Sequence, residues 1–405
     1  MILALACALA FPGCNFLKPE RRCAPPCPES FTDPVDGTRN SNAPSAELFR
    51  QLADGLQGPS RPMPDGSRMY NVLAISGGGK FGAYSAGVLG GWTESGNRPS
   101  FDVVTGVSTG AIVAVFAFLG PKYDDTVRRF YTTVTDKDIY RKKPLPFALL
   151  GDSLASSEPL KRGIERAVTP ELIADLAQAH AEGRRLLIGT TNLDTKRLAV
   201  WDISAIAAGD RCDKHELISK IILASTSVPG QFPPVKFDVT VNGIRYTELH
   251  GDGGASSEVF VRLAHLNVPL EQLRAGPRPL VGSNIYAIVS GKVFAEPKCV
   301  NPNLFGILGG AITSLVSAMT QNDLLRIYTL SLLTGMQFQF TALRQDFVDE
   351  GGPLKFEPLM LARLYEEGRR VGLQGGRGPD WRTQPPAVLR HEQVVPRTGT
   401  EFEGR

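Results

Sequence analysis

The chain has 405 residues, 42% of them hydrophobic and 21% charged, with 44 Lys and Arg against 41 Asp and Glu for a formal net charge of +3. That length supplies a sizeable core for one large domain or two smaller ones, and the composition is that of an ordinary globular protein. So small a net charge, with no long basic run interleaved with aromatics, gives nucleic-acid binding no support.

Residues 2–11 form an uncharged, mostly apolar run that is too short to span a bilayer and ends in Pro12-Gly13-Cys14. It reads as a secretion signal without the usual Lys/Arg start. The small residue before Cys14 resembles the lipobox of bacterial lipoproteins, in which the signal is removed and the cysteine becomes the lipidated first residue, although Phe11 stands where that motif prefers Leu. The resemblance implies a signal over residues 1–14, a lipid anchor on Cys14, and an exported protein held at a membrane of the bacterial cell envelope. Plain secretion and a short buried apolar segment are the alternatives. With Cys7 and Cys14 set aside, Cys23, Cys27, Cys212 and Cys299 remain, an even number that suits an oxidising compartment. Cys23 with Cys27 and Cys212 with Cys299 is the natural pairing. Cys23-Ala-Pro-Pro-Cys27 has no second Cys/His pair at metal spacing, so no metal site is expected.

Residues 15–66 are rich in Pro, Ser, Asn, Asp and charge and read as a flexible tether with one short helix over 46–56. A folded domain is expected over 67–371. A strand at 70–75 leads through a glycine loop into a helix over 83–92, and a strand at 101–105 leads through residues 106–110 into an apolar helix over 111–119. Two strand-turn-helix units in succession argue for a parallel sheet covered by helices. Leu160, Ile164 and Val168 recur at helical spacing, and Thr169-Pro170-Glu171 supplies an N-cap, a first-turn proline and a first-turn acid for a helix ending at 181. A strand follows at 185–190, with 198–203 as its hairpin partner, then a helix over 218–225 and strands at 246–250 and 284–290. Residues 304–321 carry no charge and set Leu308, Ile312, Leu315 and Met319 on one helical face. Their glycines, serines and threonines suit packing, so a core helix is expected in preference to a membrane contact. Residues 372–405 are Gly, Pro and charge, and read as disordered.

Three places could carry chemistry. In Gly77-Gly78-Gly79-Lys80-Phe81-Gly82, glycine allows positive φ and has no Cβ to hold a ligand away, so successive N–H groups can converge at the positive end of the next helix. Such a loop holds negative charge, either a nucleotide phosphate or the oxyanion of acyl transfer. Gly106-Val107-Ser108-Thr109-Gly110 fits the nucleophile elbow G-x-S-x-G between the strand and the helix that this motif requires. Asp252 ends a short strand and is followed by Gly253 and Gly254, which keep its approach open. A serine needs a base within hydrogen-bond reach. Of the five histidines, only His250 has a suggestive position, on the same side of an extended segment as Asp252, and a structural histidine is the favoured reading there.

Together these blocks resemble the patatin-like phospholipases, in which a G-G-G-x-K/R-G loop forms the oxyanion hole, a G-x-S-x-G serine is the nucleophile, and the aspartate of D-G-A/G completes a Ser-Asp dyad. A fourth block, Ala224 to Pro234, resembles the family's small-residue segment ending in Phe-Pro-Pro. The similarity covers roughly residues 71–255. It implies a three-layer α/β/α patatin-like fold with a mostly parallel central sheet. It also implies a catalytic pair Ser108 and Asp252, an oxyanion hole from Gly77, Gly78, Gly79 and Thr109, and supporting roles for Gly82, Gly106, Gly110, Gly253 and Gly254. The implied reaction is hydrolysis of fatty-acyl esters of phospholipids, lysophospholipids or related lipids, with no cofactor, calcium included. Phe81 stands where the family has a basic residue, and Lys80 sits one place earlier, which puts a role for that cation in headgroup binding or loop position in question. Phe116, Phe118, Phe147 and Phe232 are candidates for an acyl groove, with a core role preferred for each.

Two other classes remain at this point. A nucleotide-binding protein would use Gly77 to Gly82 as its phosphate cradle, but no G-K-[ST] follows. A non-catalytic lipid-binding surface lipoprotein would keep the fold without the reaction. Gly151-Asp152-Ser153-Leu154 spells the opening of another esterase signature, but no Asp-x-x-His occurs to complete it, so Ser153 is read as a turn or capping residue.

Overall fold

The computed structural model describes residues 68–144, 148, 150–241, 244–262, 278–349 and 351–385, with the short strand segments 39–41 and 61–62. The expected signal, Cys14, Cys23, Cys27, the helix over 46–56 and Phe147 lie outside the described residues.

Nine strands make the central sheet: β1 (Arg39–Ser41), β2 (Asn71–Ile75), β3 (Val103–Val107), β4 (Arg185–Asn192), β5 (Arg197–Asp202), β6 (Val235–Val241), β7 (Ile244–Asp252), β8 (Asn284–Val289) and β9 (Gln337–Ala342). They are ordered β1-β5-β4-β3-β2-β8-β9. The run from β4 to β9 is parallel throughout. β5, β1 and the β6–β7 hairpin add antiparallel pairs on one side. The middle strands are apolar on both faces because helices and loops cover both, the usual reason that parallel strands read as continuous hydrophobic runs.

Alternate residues of each strand enter separate cores. Leu73 and Ile75 of β2, Val104 of β3 and Ile188 of β4 face one layer. That layer is built by α1 (Gly82–Glu94), α2 (Thr109–Leu119), α3 (Asp124–Thr133), α4 (Glu158–Ala167), α5 (Pro170–Ala181), α6 (Ile203–Ala208), α7 (Lys214–Ser225) and a late C-terminal helix. Val72, Ala74, Val103 and Leu187 face the other layer, where Val259 and Phe260 pack with Leu324, Ile327 and Leu330 of α8 (Leu304–Thr334). The late helix, α9 (Pro358–Gly372), lies against α1 so closely that a Cβ on Gly87 would meet the Tyr365 carbonyl oxygen at 2.0 Å and one on Gly372 the Val88 oxygen at 2.1 Å. The three-layer α/β/α architecture matches the expectation. Thr169 caps α5 as its sequence predicts, accepting from the Leu172 N–H at 3.2 Å.

Several expectations need correction. α8 runs to Thr334, well past 321, and its first half does not lie in the core: Leu308, Ile312 and Leu315 are 49%, 60% and 63% exposed, whereas Leu324 is fully buried. Lack of charge marked a helix but not its burial. No described helix is long and apolar enough to cross a membrane. The folded domain also extends beyond 371. Trp381 is buried against Trp92 with ring centroids 5.0 Å apart, and Arg382 bridges to Phe340 of β9. Within the expected tether, β1 pairs with β5. Cys212 and Cys299 are both free and exposed. Cys212 follows β5 and Cys299 lies between β8 and β9, strands separated in the sheet by β4, β3 and β2, so the expected pair does not form.

Candidate active site

The site forms where two strands meet end to end against the same edge of β4. β3 pairs in parallel with β4 until Val107 lies opposite Gly189, and β7 takes over antiparallel, its last residue Asp252 opposite Thr190. Ser108 and Asp252, separated by 144 positions, are thereby the next residues at one junction. Ser108 has φ 55° and ψ −128°, a left-handed turn that few non-glycine residues adopt, and α2 begins at the following residue. The turn is possible because α2 presses directly on the sheet: a Cβ on Gly110 would lie 2.4 Å from the Ser76 carbonyl oxygen, and one on Gly106 2.4 Å from the Gly110 oxygen. Gly82 packs on the Thr109 hydroxyl and Gly253 on the Gly189 carbonyl with the same absence of room.

The small-residue block before β6 holds both groups in place. Ser225 Oγ accepts from the Ser108 N–H at 3.0 Å and donates to the Gly189 oxygen at 2.7 Å, and the Ser227 carbonyl accepts from the Asp252 N–H at 2.8 Å. Ser225 and Ser227 lie inside the Ala224 to Pro234 segment, which was recognisable as a block although neither serine could be singled out within it. The Ser108 hydroxyl lies close enough to Asp252 to favour its charged form, and the Gly254 N–H donates to Asp252 Oδ1 at 2.8 Å. Burial raises the Asp252 carboxyl from 3.8 to about 6, with the Ser108 and Gly254 hydrogen bonds holding it from rising further.

The glycine loop closes the other side. Gly78 and Gly79 have φ of 151° and 58°, and a Cβ on either would strike backbone, the Ser290 oxygen at 1.9 Å or the Pro353 oxygen at 2.3 Å. Ser76 fixes the loop's entry by donating its hydroxyl to the Gly77 carbonyl and accepting from the Ser290 N–H, each at 2.8 Å. The N–H groups of Gly78, Gly79 and Thr109 donate to no acceptor among the described residues. Gly77 differs from expectation, since its N–H is given to the Glu258 carbonyl at 3.3 Å. Gly77 still borders Ser108: a Cβ there would lie 3.1 Å from Ser108 Cβ.

Lys80 is wholly buried and pairs with Asp349, while its N–H donates to the Pro353 oxygen at 2.8 Å. Its cation therefore anchors the loop to residues 349–353 and faces no headgroup. Phe81 packs on the core beside Gly291 and lies under the Lys80 ammonium, 5.5 Å from ring centroid to Nζ. An aromatic side chain suits that place between core and buried cation. Both ring nitrogens of His250 are engaged away from Ser108 and Asp252. The residue is fully buried, with Nδ1 at 2.9 Å from Thr190 Oγ1 and Nε2 at 3.1 Å from Glu248 Oε2. Ser153 lies in an irregular stretch before residues 155–156, donating to Asp152 and accepting from Lys143 at 2.7 Å. Phe116, Phe118 and Phe232 are core residues.

One residue of the site had no sequence signal at all. Glu258, six places after Asp252, brings its carboxyl between the two glycine segments: a Cβ on Gly77 would lie 2.8 Å from Glu258 Oε2, and one on Gly254 2.8 Å from Glu258 Oε1 and 3.1 Å from Asp252 Oδ1. Asp323 of α8 holds this segment from below, accepting from the Ser257 hydroxyl at 2.9 Å and the Glu258 N–H at 2.8 Å. Among the described residues no group of three or more His, Cys, Asp or Glu side chains is arranged to hold a metal ion.

Comparison with known proteins finds a family and a solved structure to which the chain is similar. The model of the patatin-like phospholipase family matches residues 73–265, which contain all four sequence blocks. No curated protein sequence matches. Among solved structures, VipD from Legionella pneumophila is similar over 80% of this chain and 72% of its own, with 12% identity and a TM-score of 0.41. The chain has the patatin fold, and its residues 73–265 match the model of the patatin-like phospholipase family.

Proposed function

We propose that the protein is a serine acyl hydrolase that cleaves fatty-acyl esters of phospholipids, lysophospholipids or related lipids through Ser108 and Asp252. The observation that carries this reading is the strand junction that puts the elbow residue Ser108 and the buried carboxyl of Asp252 side by side, with three N–H groups nearby that have no acceptor among the described residues. Asp252 takes the Ser108 proton as Oγ attacks the acyl carbonyl. A carboxylate at its ordinary value is too weak a base for this, and the rise to about 6 brings Asp252 closer to the range of an effective general base. The N–H groups of Gly78, Gly79 and Thr109 receive the oxyanion, Thr109 with the N-terminal dipole of α2 behind it. Each such donor typically contributes about 3–4 kcal/mol of transition-state stabilisation. Water then attacks the acyl-enzyme and releases the fatty acid.

The lipid class rests on the family match over residues 73–265. A phosphate cradle is disfavoured because the loop borders Ser108 and, beyond it, the Asp252 carboxylate, whose negative charge at neutral pH repels a bound phosphate. We further propose that Cys14 carries a lipid that holds the enzyme at a membrane of the cell envelope; incorporation of an alkyne-tagged fatty acid should disappear in Cys14→Ser, and undiminished incorporation would remove the proposal. For the activity itself, Ser108→Ala and Asp252→Asn should each abolish p-nitrophenol release from medium-chain esters while the far-UV spectrum is kept. Turnover retained in Asp252→Asn and lost in His250→Ala would assign the base to the histidine.

A further inference from the structure

Glu258 is 7% exposed, and no hydrogen-bond donor or cation among the described residues pairs with its carboxyl. Its oxygens are not among the fully enclosed polar atoms that lack a partner, so the carboxyl meets solvent over a small area, and a nearly buried carboxyl beside a candidate nucleophile has a chemical use. Its two oxygens take opposite neighbours. Oε2 and Ser108 Cβ close on Gly77 from either side, and Oε1 shares the space at Gly254 with Asp252 Oδ1. Glu258 thus stands next to the base and next to the nucleophile without bonding to either.

We propose that Glu258 is the general acid of the reaction, protonating the leaving alkoxide while Asp252 serves Ser108. The inference rests on the assignment of Ser108 and Asp252 above. In acylation the Ser108 proton passes to Asp252 and the Oγ–C bond forms. The tetrahedral intermediate then breaks its C–O bond to the leaving group as the Glu258 proton passes to that oxygen. The site is left with a protonated Asp252 and an ionised Glu258. In deacylation Glu258 takes a proton from the attacking water, and Asp252 returns its proton to the departing Ser108 oxygen. Both carboxyls end as they began.

The surroundings of the two groups support these opposite roles. Asp252 receives a hydrogen bond from Gly254 and has the Ser108 hydroxyl beside it, both favouring its charged form, whereas the Glu258 carboxyl receives no hydrogen bond. Burial is the largest influence on Glu258, followed by the negative charges of Asp252 on β7 and Asp323 on α8, and all three hold it well above the usual carboxylate range. The nearby cations Arg262 and Arg326 interact with Asp323. Two carboxyls whose environments drive their proton affinities apart form an acid/base pair.

The test compares two esters of the same acid, p-nitrophenyl butyrate, whose leaving group needs no proton, and methyl butyrate, whose leaving group does. In Glu258→Gln, kcat/KM for methyl butyrate should fall about 100-fold while that for p-nitrophenyl butyrate stays within about threefold, as expected for loss of a general acid. The variant should also show a burst of p-nitrophenol followed by a slow steady state, because deacylation loses its base. A purely structural role moves both esters together, so an equal effect on the two, or no effect on either, overturns the proposal. The wild-type protein gives a second reading that requires no variant. Its methyl/p-nitrophenyl ratio of kcat/KM should drop at alkaline pH as Glu258 ionises, and a ratio independent of pH contradicts the role. A wild type inert on both esters, or activity that survives Ser108→Ala, defeats the assignment of the dyad as well. An active wild type silenced by Ser108→Ala, with both esters equally affected by Glu258→Gln, defeats only the role of Glu258.

Discussion

Replacing Asp252 by Asn should remove activity and, at neutral pH, make the protein more stable. The folded protein keeps the Asp252 proton up to about pH 6, whereas the unfolded chain releases it near 3.8. As pH climbs through that window the unfolded state loses its proton first, so the wild type loses stability, and the loss is complete above the folded value. The rise from 3.8 to about 6 corresponds to about 3 kcal/mol. Asparagine has no proton to release, so the stability difference between Asp252→Asn and wild type should move by roughly 2–3 kcal/mol in favour of the variant between pH 4 and pH 8. Any constant cost of the substitution, such as a poorer contact with Ser108, cancels in that difference. Urea unfolding of both proteins at the two pH values provides the measurement. A difference that does not change with pH, or that shifts toward the wild type at pH 8, would refute the claim that burial raises this carboxyl. A gain accompanied by loss of turnover is the expected trade between stability and a strained site.

Other expectations follow from the same geometry. Ser225→Ala leaves the Ser108 N–H buried without an acceptor, which should cost about 1–3 kcal/mol in denaturant unfolding and lower kcat/KM about 10- to 100-fold through misplacement of the elbow; unchanged stability and turnover would mean that the hydrogen bond is not formed. Leu324→Ala, in the buried half of α8, should cost about 2–5 kcal/mol, whereas Leu315→Ser, in the exposed half, should stay within about 0.5 kcal/mol; equal costs would show that something covers the first half of the helix. Alkylation of the native, unreduced protein should label both Cys212 and Cys299 when read peptide by peptide, and protection of both until reduction would restore the disulfide excluded by the structure.

Much of the site was legible because its chemistry is confined to short local patterns. The glycine loop, the elbow and the Asp-Gly-Gly turn each constrain backbone over a few residues, so each shows as a short pattern, and the resemblance of the ordered blocks to a known family supplied their expected roles. The parallel sheet was legible from its strand-turn-helix repeats. Errors arose where local pattern and tertiary placement separate. The strand before Ser108 was expected over 101–105 and runs over Val103–Val107, because Gly106 and Val107 read as turn residues although the strand continues to the elbow itself. α8 was expected to stop before Asp323, yet that aspartate lies inside the helix as the prop of the Glu258 segment. Trp381 sits in a stretch of Gly, Pro and charge whose composition suggests disorder, and only its stacking on Trp92 and Tyr286 shows that it is packed. Glu258 belongs to no recognisable spacing, and its position depends on β7 ending at the tip of β3, a relation between segments far apart in sequence.

The most direct test of the dyad is covalent capture of its nucleophile. A fluorophosphonate probe should label the native protein at Ser108 alone, as mapped by peptide mass spectrometry. Labelling should be lost in Ser108→Ala and strongly slowed in Asp252→Asn, while His250→Gln, if folded, should label at the wild-type rate. A probe adduct on another serine, or catalytic turnover persisting in Ser108→Ala, would contradict the assignment of Ser108 as the nucleophile.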